Sequence, residues 1–442
     1  MYKCVYRLVL LLVLLASAAQ ALPPHRRVAA QGGNLQSLQA QVGGLSPVLW
    51  LKPDASKLTV ESDGSISSWA DSSGYGYDFA QATLANRPYL TRADDLENRI
   101  KASESFGAAP WAATGTTLTA GAVVETSGGT YHGISQPIEV VKGASYTISA
   151  VLKSGTNRTW AVVEGTDSTD RGGFFNLATG AAGSAIGGAT VHTPISLGDG
   201  WYRCSITFVA ASSNASAIAG IYTSTGDGVY SFSGTAGNSV LLQSVHYRRS
   251  STSSTYLATT TYPQYAGLNG RAVPYFPGAA TYMSRAFTSA LDIGVGDNSL
   301  FAVIKPDAAT TTSTLGILAT ESYLVRGAVW WLNTDLTARL RTCTAGAESA
   351  VVGTSSVSGV SLVSAIKGSG VGSHYYNGTL AGSGAISDAL SASPNAFVIG
   401  NDRGAASGLR GPLPELLVFN RALSGREVGI VFSYLSSRWG LR

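Results

Sequence analysis

The chain has 442 residues, 13% of them charged and 45% hydrophobic, with 52 glycines and only two methionines. The formal charge is +4; setting aside Lys3 and Arg7 in an N-terminal leader leaves +2, and no block of Lys or Arg follows. That balance argues against nucleic-acid binding, which needs a clustered basic face to release counterions, and the supply of aromatic and β-branched residues argues against a disordered chain.

Residues 1–21 run MYKCVYR, LVLLLVLLASA and AQA. A basic start, an apolar run and small residues at Ala19 and Ala21 match an export signal. The run falls short of the roughly 20 apolar residues that span a bilayer. The expectation is a cleaved leader and no membrane segment in the mature chain, an uncleaved anchor being the alternative. Residues 22–45 are polar with Pro and Gly near both ends, and read as a linker or a short, loosely held helix.

β patterns begin at Pro47. Val48–Leu51 is an apolar strand stopped by Pro53-Asp54, and Ile66–Trp69 is another. The stretch from Trp69 to Phe79, WADSSGYGYDF, follows directly. Asp71 is placed to accept from the backbone of the next turn, and Gly74 and Gly76 supply positive φ, so its acids and rings read as a turn. The densest charge cluster of the mature chain, Arg92 to Asn98, reads as a seam between domains. Beyond it the strands lengthen. Ser145–Lys153 and Trp201–Val209 alternate polar and apolar residues, which predicts one face on a core and one in solvent. Ser239–Tyr247 closes this block and the tract Ser250–Thr261 leads out of it.

Short strands then return at Ala272–Phe276, Leu300–Lys305, Val329–Leu332, Val360–Ile366 and Phe397–Gly400. Lys305-Pro306-Asp307-Ala308 echoes Lys52-Pro53-Asp54-Ala55, the same turn chemistry after an apolar strand. The last element is a helix. Ser424 caps it, Glu427 completes a capping box, and Val428, Val431, Phe432 and Leu435 share a face. Trp439 is expected to pack against the sheets. Cys204 and Cys343 are so far apart that two free, buried thiols are expected, with a single bridge as the alternative.

The phrases PVLWLKPDASKL, ISSWADSSGYGYDFAQATLANRPYL, NAFVIGNDRG and PELLVFNRALSGREVGIVFSYLSSRWGL resemble the concanavalin A-like lectin/glucanase superfamily in its laminin-G-like branch. They bracket residues 46–96 and 262–442. Between them, ENRIKASESFGAAPW, YHGISQPIEVVKGASYTISAVLKSG, GWYRCSITFVAAS and GDGVYSFSG resemble a jelly-roll carbohydrate-binding module of phage proteins. The resemblances imply an all-β chain: a concanavalin A-like β-sandwich with a second sandwich inserted over residues 97–261 and one C-terminal helix. Insertion at a loop tip tolerates a domain whose ends lie close together.

A superfamily that includes glucanases requires a test for catalysis. Retaining glycosidases need two carboxyls about 5 Å apart. The Glu-x-Asp-x-x-Glu strand of laminarinase-like members is absent; the nearest acids, Asp94, Asp95 and Glu97, sit at the seam. Glu415, at a strand start, reads as a cap or a hydrogen bond to the adjacent loop and not as a catalytic acid. No Gly-x-Ser-x-Gly turn, phosphate-cradling glycine loop or His-Glu-x-x-His string occurs. No enzyme is therefore expected, and no cofactor, although a structural calcium at Asp54, Asp71, Asp227 or Asp402 stays open by residue type. The expected activity is recognition of a cell-surface glycan or polysaccharide by exposed rings and a few polar groups. The candidates, from loop phrases of the middle segment, are Trp111, Tyr131, His132, Tyr222, Asp227 and Tyr230. The resemblance also leaves room for a structural protein of a virion or cell surface, contacting other such proteins, and third for a glycoside hydrolase. An exported, cell-surface or virion location is implied.

Overall fold

The computed structural model describes residues 35–441 apart from 95, 120, 253–254, 260–262, 279, 308–314, 321–325, 345–346, 390–395 and 402–407. The leader, Asp95 and Asp402 lie outside the described residues. Every strand pairing between named strands is antiparallel. A six-stranded sheet places Leu49–Leu51 beside Glu415–Phe419, then Asn298–Ile304, Ser361–Gly368, Val371–Tyr376 and Thr379–Ala385. A nine-stranded sheet runs from Leu58–Val60 through Ile66–Trp69, Phe79–Ala80, Met283–Arg285 and Phe397–Ile399 out to Ala347–Ser356. Strands from both ends of the chain thus share each sheet.

The strand Asn298–Ile304 shows why this part of the molecule has three layers. It is buried along its whole length. Leu300, Ala302 and Ile304 face the nine-stranded sheet and join a core with Trp69, Phe79 and Trp330. Phe301 and Val303, one residue out of phase, face the other way into a second core. Two helices cover that second core: α1 (Leu35–Gly44) and α2 (Gly425–Trp439). The helical alternative for the N-terminal stretch is therefore present, with Val42 buried against α2. Ser424 and Glu427 form the expected capping box, and Val428, Val431, Tyr434, Leu435 and Trp439 are buried.

The N-terminal strand, the last strand and α2 meet at Glu415, which has no solvent exposure. Its carboxylate accepts from Trp50 Nε1 at 2.6 Å, Tyr434 Oη at 2.8 Å and Trp439 Nε1 at 2.8 Å, with Arg438 Nε 3.2 Å away. The acid ties three segments together, and its hydrogen bonds reach far beyond the adjacent loop.

The strands between residues 112 and 248 pair only with one another, in two sheets. One holds Trp201–Val209, Ser145–Ser154, Ser239–Arg248, Ala122–Glu125 and Thr116–Thr119, with short edge strands. The other runs Ala181–Ile186, Asp170–Asn176, Trp160–Thr166, Asn214–Ser224, Gly133–Val140 and Ala112–Thr114. Their facing sides enclose a core of Tyr146, Ile148, Phe175, Ile206 and Tyr247. The strand Ser145–Ser154 differs from expectation, because its polar face is also buried. Thr147 and Ser149 bond the hydroxyls of Thr207 and Ser205, each at 2.8 Å, and Thr147 also donates to Ser250 O at 2.8 Å. Ser250, at the start of the Ser/Thr tract, and the hydroxyls of the neighbouring strand thus satisfy these polar groups with protein instead of water.

Cys204 and Cys343 are buried and are not joined in a disulfide. A three-stranded sheet of Tyr89–Leu90, Pro274–Pro277 and Arg410–Pro412 lies where the middle segment joins the rest. No helix among the described residues is long and apolar enough to cross a membrane.

Candidate functional site

The strand Trp160–Thr166, WAVVEGT, presents two different faces. Ala161 and Val163 enter the core. Trp160, Val162 and Glu164, in the other phase, lie on the outer side of the sheet. Register then decides their neighbours. Val162 sits between Phe174 and Tyr222, while Glu164 sits between Gly172 and Gly220. With no side chains on either flank, the Glu164 carboxyl rises through a gap that Tyr222 covers. The Tyr222 ring lies flat across the sheet, and a Cβ added at Gly133 or Gly220 would run into it. Its hydroxyl lies close to the carboxyl of Glu164 and to Ser135.

Other rings gather around this center. Tyr230 stands 6.2 Å from Tyr222, 5.9 Å from Phe174 and 5.3 Å from Tyr131, between ring centroids. Val162, Phe174 and Tyr222 form a buried floor against which Trp160, Ile186 and Tyr230 pack. Tyr131 caps the group with 42% of its surface exposed. Asp227 accepts from Ser184 N at 2.7 Å and Ser184 Oγ at 2.9 Å, which fixes the turn leading to Tyr230.

Two carboxyls meet in this setting. Glu164 is 4% exposed, and Asp170 lies diagonal to it on the neighbouring strand, near enough for its charge to act on the Glu164 carboxyl. Burial first, and the charge of Asp170 second, push the Glu164 carboxyl up to about 8, against the pull of the Tyr222 hydroxyl. Burial, then the charge of Glu164, pushes Tyr230 up to about 12. Burial likewise raises Tyr222. Near neutral pH Glu164 is therefore largely a protonated acid, able to donate as well as accept. Among the described residues no Lys or Arg pairs with Glu164, Asp170 or Asp227.

Four of the six sequence candidates, Tyr131, Tyr222, Asp227 and Tyr230, thus come together on one surface. Trp111 and His132 do not join them. Trp111 is 3% exposed, packs edge-on against Phe106 at 5.3 Å and donates from Nε1 to Ala102 O at 3.0 Å. The His132 ring is buried, with Nδ1 2.7 Å from Gly115 O and Nε2 3.0 Å from Phe232 O. Tyr131 and His132 are consecutive residues of extended chain, so one ring points out and the other in. Glu164, Asp170, Trp160 and Phe174 were not among the candidates. Period-2 reading of WAVVEGT groups Trp160, Val162 and Glu164, which is the one sequence signal that could have pointed there.

Asp54, Asp71 and Asp227, three of the acids considered for calcium, have other partners. Asp54 pairs with Arg438 at 2.7 Å and Lys52 at 3.5 Å. Asp71 accepts from Trp50 N at 3.0 Å, Ser73 N at 2.8 Å and Tyr77 N at 3.2 Å, the turn role expected of it. Among the described residues no three His, Cys, Asp or Glu side chains gather to hold a metal ion. At the seam, Asp94 pairs with Arg92 and Glu97 with Arg99.

No curated protein matches this chain. Among solved structures it is similar to a native heptameric SAP-like pentraxin from Limulus polyphemus: 18% identity, 30% of this chain, 68% of that chain, TM-score 0.25. It is also similar to the botulinum neurotoxin serotype D binding domain, with 13% identity, 39% of this chain, 52% of that one and a TM-score of 0.30. A third likeness is to the Ruminococcus gnavus IT-sialidase CBM40 bound to alpha2,3 sialyllactose: 10% identity, 34% and 92% coverage, TM-score 0.27. These likenesses span about a third of the chain, and no functional conclusion rests on them. A family model adds one assignment. Residues 277–429 match the Laminin_G_3 family of the concanavalin A-like lectin/glucanases superfamily, and the all-β architecture they help to build is that of a concanavalin A-like β-sandwich.

Proposed function

We propose that this chain is a non-catalytic glycan-binding protein, and that its contact surface is the tyrosine cluster of the middle segment. The observation that carries this reading is the convergence of Tyr131, Tyr222 and Tyr230, with the Tyr131 ring exposed above a buried aromatic floor. Amphipathic rings of this kind offer an apolar face to a sugar and a hydroxyl to its rim. Asp170 and Asp227, both exposed, supply acceptors for sugar hydroxyls, while Glu164 lies beneath the Tyr222 ring. With two exposed carboxylates and no paired cation, the surface suits a neutral or amino-bearing sugar better than an acidic one.

Catalysis is disfavoured on geometric grounds. Glycosidases hold two carboxyls roughly 5 Å apart, or further, with distinct protonation roles. Glu164 is only 4% exposed, beneath the Tyr222 ring, which keeps its carboxyl from a glycosidic bond. We further read residues 46–96 with 262–442 as one sandwich and residues 97–261 as an inserted phage-type carbohydrate-binding jelly roll. The strand pairings support this division, since Tyr89–Leu90 pairs with Pro274–Pro277 across the middle segment. The leader pattern of residues 1–21 favours export to the cell surface; display on a virion is the other setting in which such modules serve adhesion.

The test is a glycan array followed by affinity electrophoresis on the best polysaccharide. Tyr230→Ala and Tyr131→Ala should each weaken retention by about ten-fold, equivalent to about 1.4 kcal/mol. Retention equal to that of the unmodified protein in both variants, or no binding to any glycan, refutes the assignment. N-terminal sequencing of protein recovered from the medium tests the leader.

A further inference from the structure

A second recess lies away from the tyrosine cluster, where the middle segment meets the rest of the chain. It is a cleft of about 580 Å³, within the roughly 300–1,000 Å³ typical of small-ligand sites. Its charged walls are Arg99, Arg248, Arg249 and Lys305 against Glu97 and Asp307. Both acids are already taken. Glu97 pairs with Arg99 and accepts from Arg249 N at 3.3 Å. Asp307 is bound by Arg99 at 3.4 Å, by Arg249 at 3.1 Å and by the Tyr275 hydroxyl.

Two cations have no carboxylate within ion-pair distance among the described residues. They are Arg248, whose Nε is buried with no hydrogen-bond partner, and Lys305, whose charge acts on Asp307 only from further away. Buried donors of this kind are normally satisfied, and a guanidinium and an ammonium lining one cleft suit an oxyanion. The position is fixed from both sides. Arg248 ends the strand Ser239–Arg248, and Lys305 follows the strand Asn298–Ile304 of the six-stranded sheet. Both strands belong to well-packed cores, so the backbone that carries each cation is held in place.

We infer that this cleft is a second binding site, taking a carboxylate or sulfate group between Arg248 and Lys305. The inference is independent of the tyrosine surface, whose acidic character favours the opposite charge. The anion has two sources, an acidic glycan or a small free oxyanion.

Titration calorimetry of the full chain with a chondroitin sulfate tetrasaccharide and with sodium sulfate separates these sources. Binding of the tetrasaccharide alone assigns the group to a glycan, and binding of both assigns a general oxyanion site. Either should weaken by about ten-fold or more in Arg248→Ala/Lys305→Ala, and less in Lys305→Ala alone, whose exposed side chain leaves packing untouched. Lys142→Ala, which removes an exposed charge elsewhere, should change binding by less than about two-fold. Absence of binding by both probes, or binding to the Lys305→Ala and double variants as tight as to the unmodified chain, overturns the inference.

Discussion

Replacing Glu164 by Gln should change how the stability of this protein depends on pH. The carboxyl titrates at about 8 in the folded chain and at its ordinary 4.5 when exposed by unfolding. Between those values the folded state binds more protons than the unfolded state, so stability is fully present below pH 4.5 and is lost as pH rises through 8. Over the whole range the loss is about 5 kcal/mol, and between pH 5 and pH 8 it is about 3–4 kcal/mol. Gln has nearly the same shape as the protonated acid and can sit beside Tyr222 and Asp170 as it does, but it does not titrate. Urea unfolding at pH 5, 6.5 and 8 should show a steep decline for the unmodified chain and a much flatter one for Glu164→Gln. The variant should be the more stable of the two at pH 8. Equal slopes in the two proteins would refute the claim that Glu164 is held protonated by its surroundings.

Glu415→Ala should be among the most damaging single changes. It leaves Arg438 and three neutral donors facing an empty pocket, and the expected loss is about 3–5 kcal/mol; thermal melting, with limited proteolysis to detect release of α2, measures it. Ser424→Ala removes only the cap of the same helix and should cost about 1 kcal/mol in urea unfolding. A loss equal to that of Glu415→Ala would show that the cap, not the buried acid, holds α2.

What could be read from the sequence was local. The strands Ile66–Trp69 and Trp201–Val209 occur as expected, because short apolar or alternating runs bounded by turn residues carry their own limits. The cap of α2 was visible because Ser424 and Glu427 are three residues apart. The partners of Glu415 were not, because Trp50 lies 365 residues away and nothing in the chain's local pattern announces that pairing. The tyrosine surface fell between these cases. Tyr131, Tyr222, Asp227 and Tyr230 lie in loop phrases or at a strand end, where a ring either stays exposed or packs into a core. Glu164 becomes a member only through the glycines opposite it, which register across three strands brings there. Trp111 and His132 failed as candidates for a related reason. Closeness in sequence to exposed residues says nothing about direction, and along an extended chain direction reverses at each step.

The sharing of sheets between the two ends of the chain sets an order for its assembly. Leu49–Leu51 can find its partner, Glu415–Phe419, only after nearly all the chain has been made. At synthesis rates of about 5–20 residues per second, the 365 residues from Trp50 to Glu415 represent a wait of roughly 20–70 s. During that interval Val48, Leu49, Trp50 and Leu51 form an unpaired apolar edge, the kind of segment that recruits the wrong strand. The strands between residues 112 and 248 need nothing that comes later, so they can close their own core in the meantime. A folded body in the middle then holds the two flanking stretches near each other. Closure of the outer sheets becomes a short search between neighbours, where it would otherwise be a long one between distant ends.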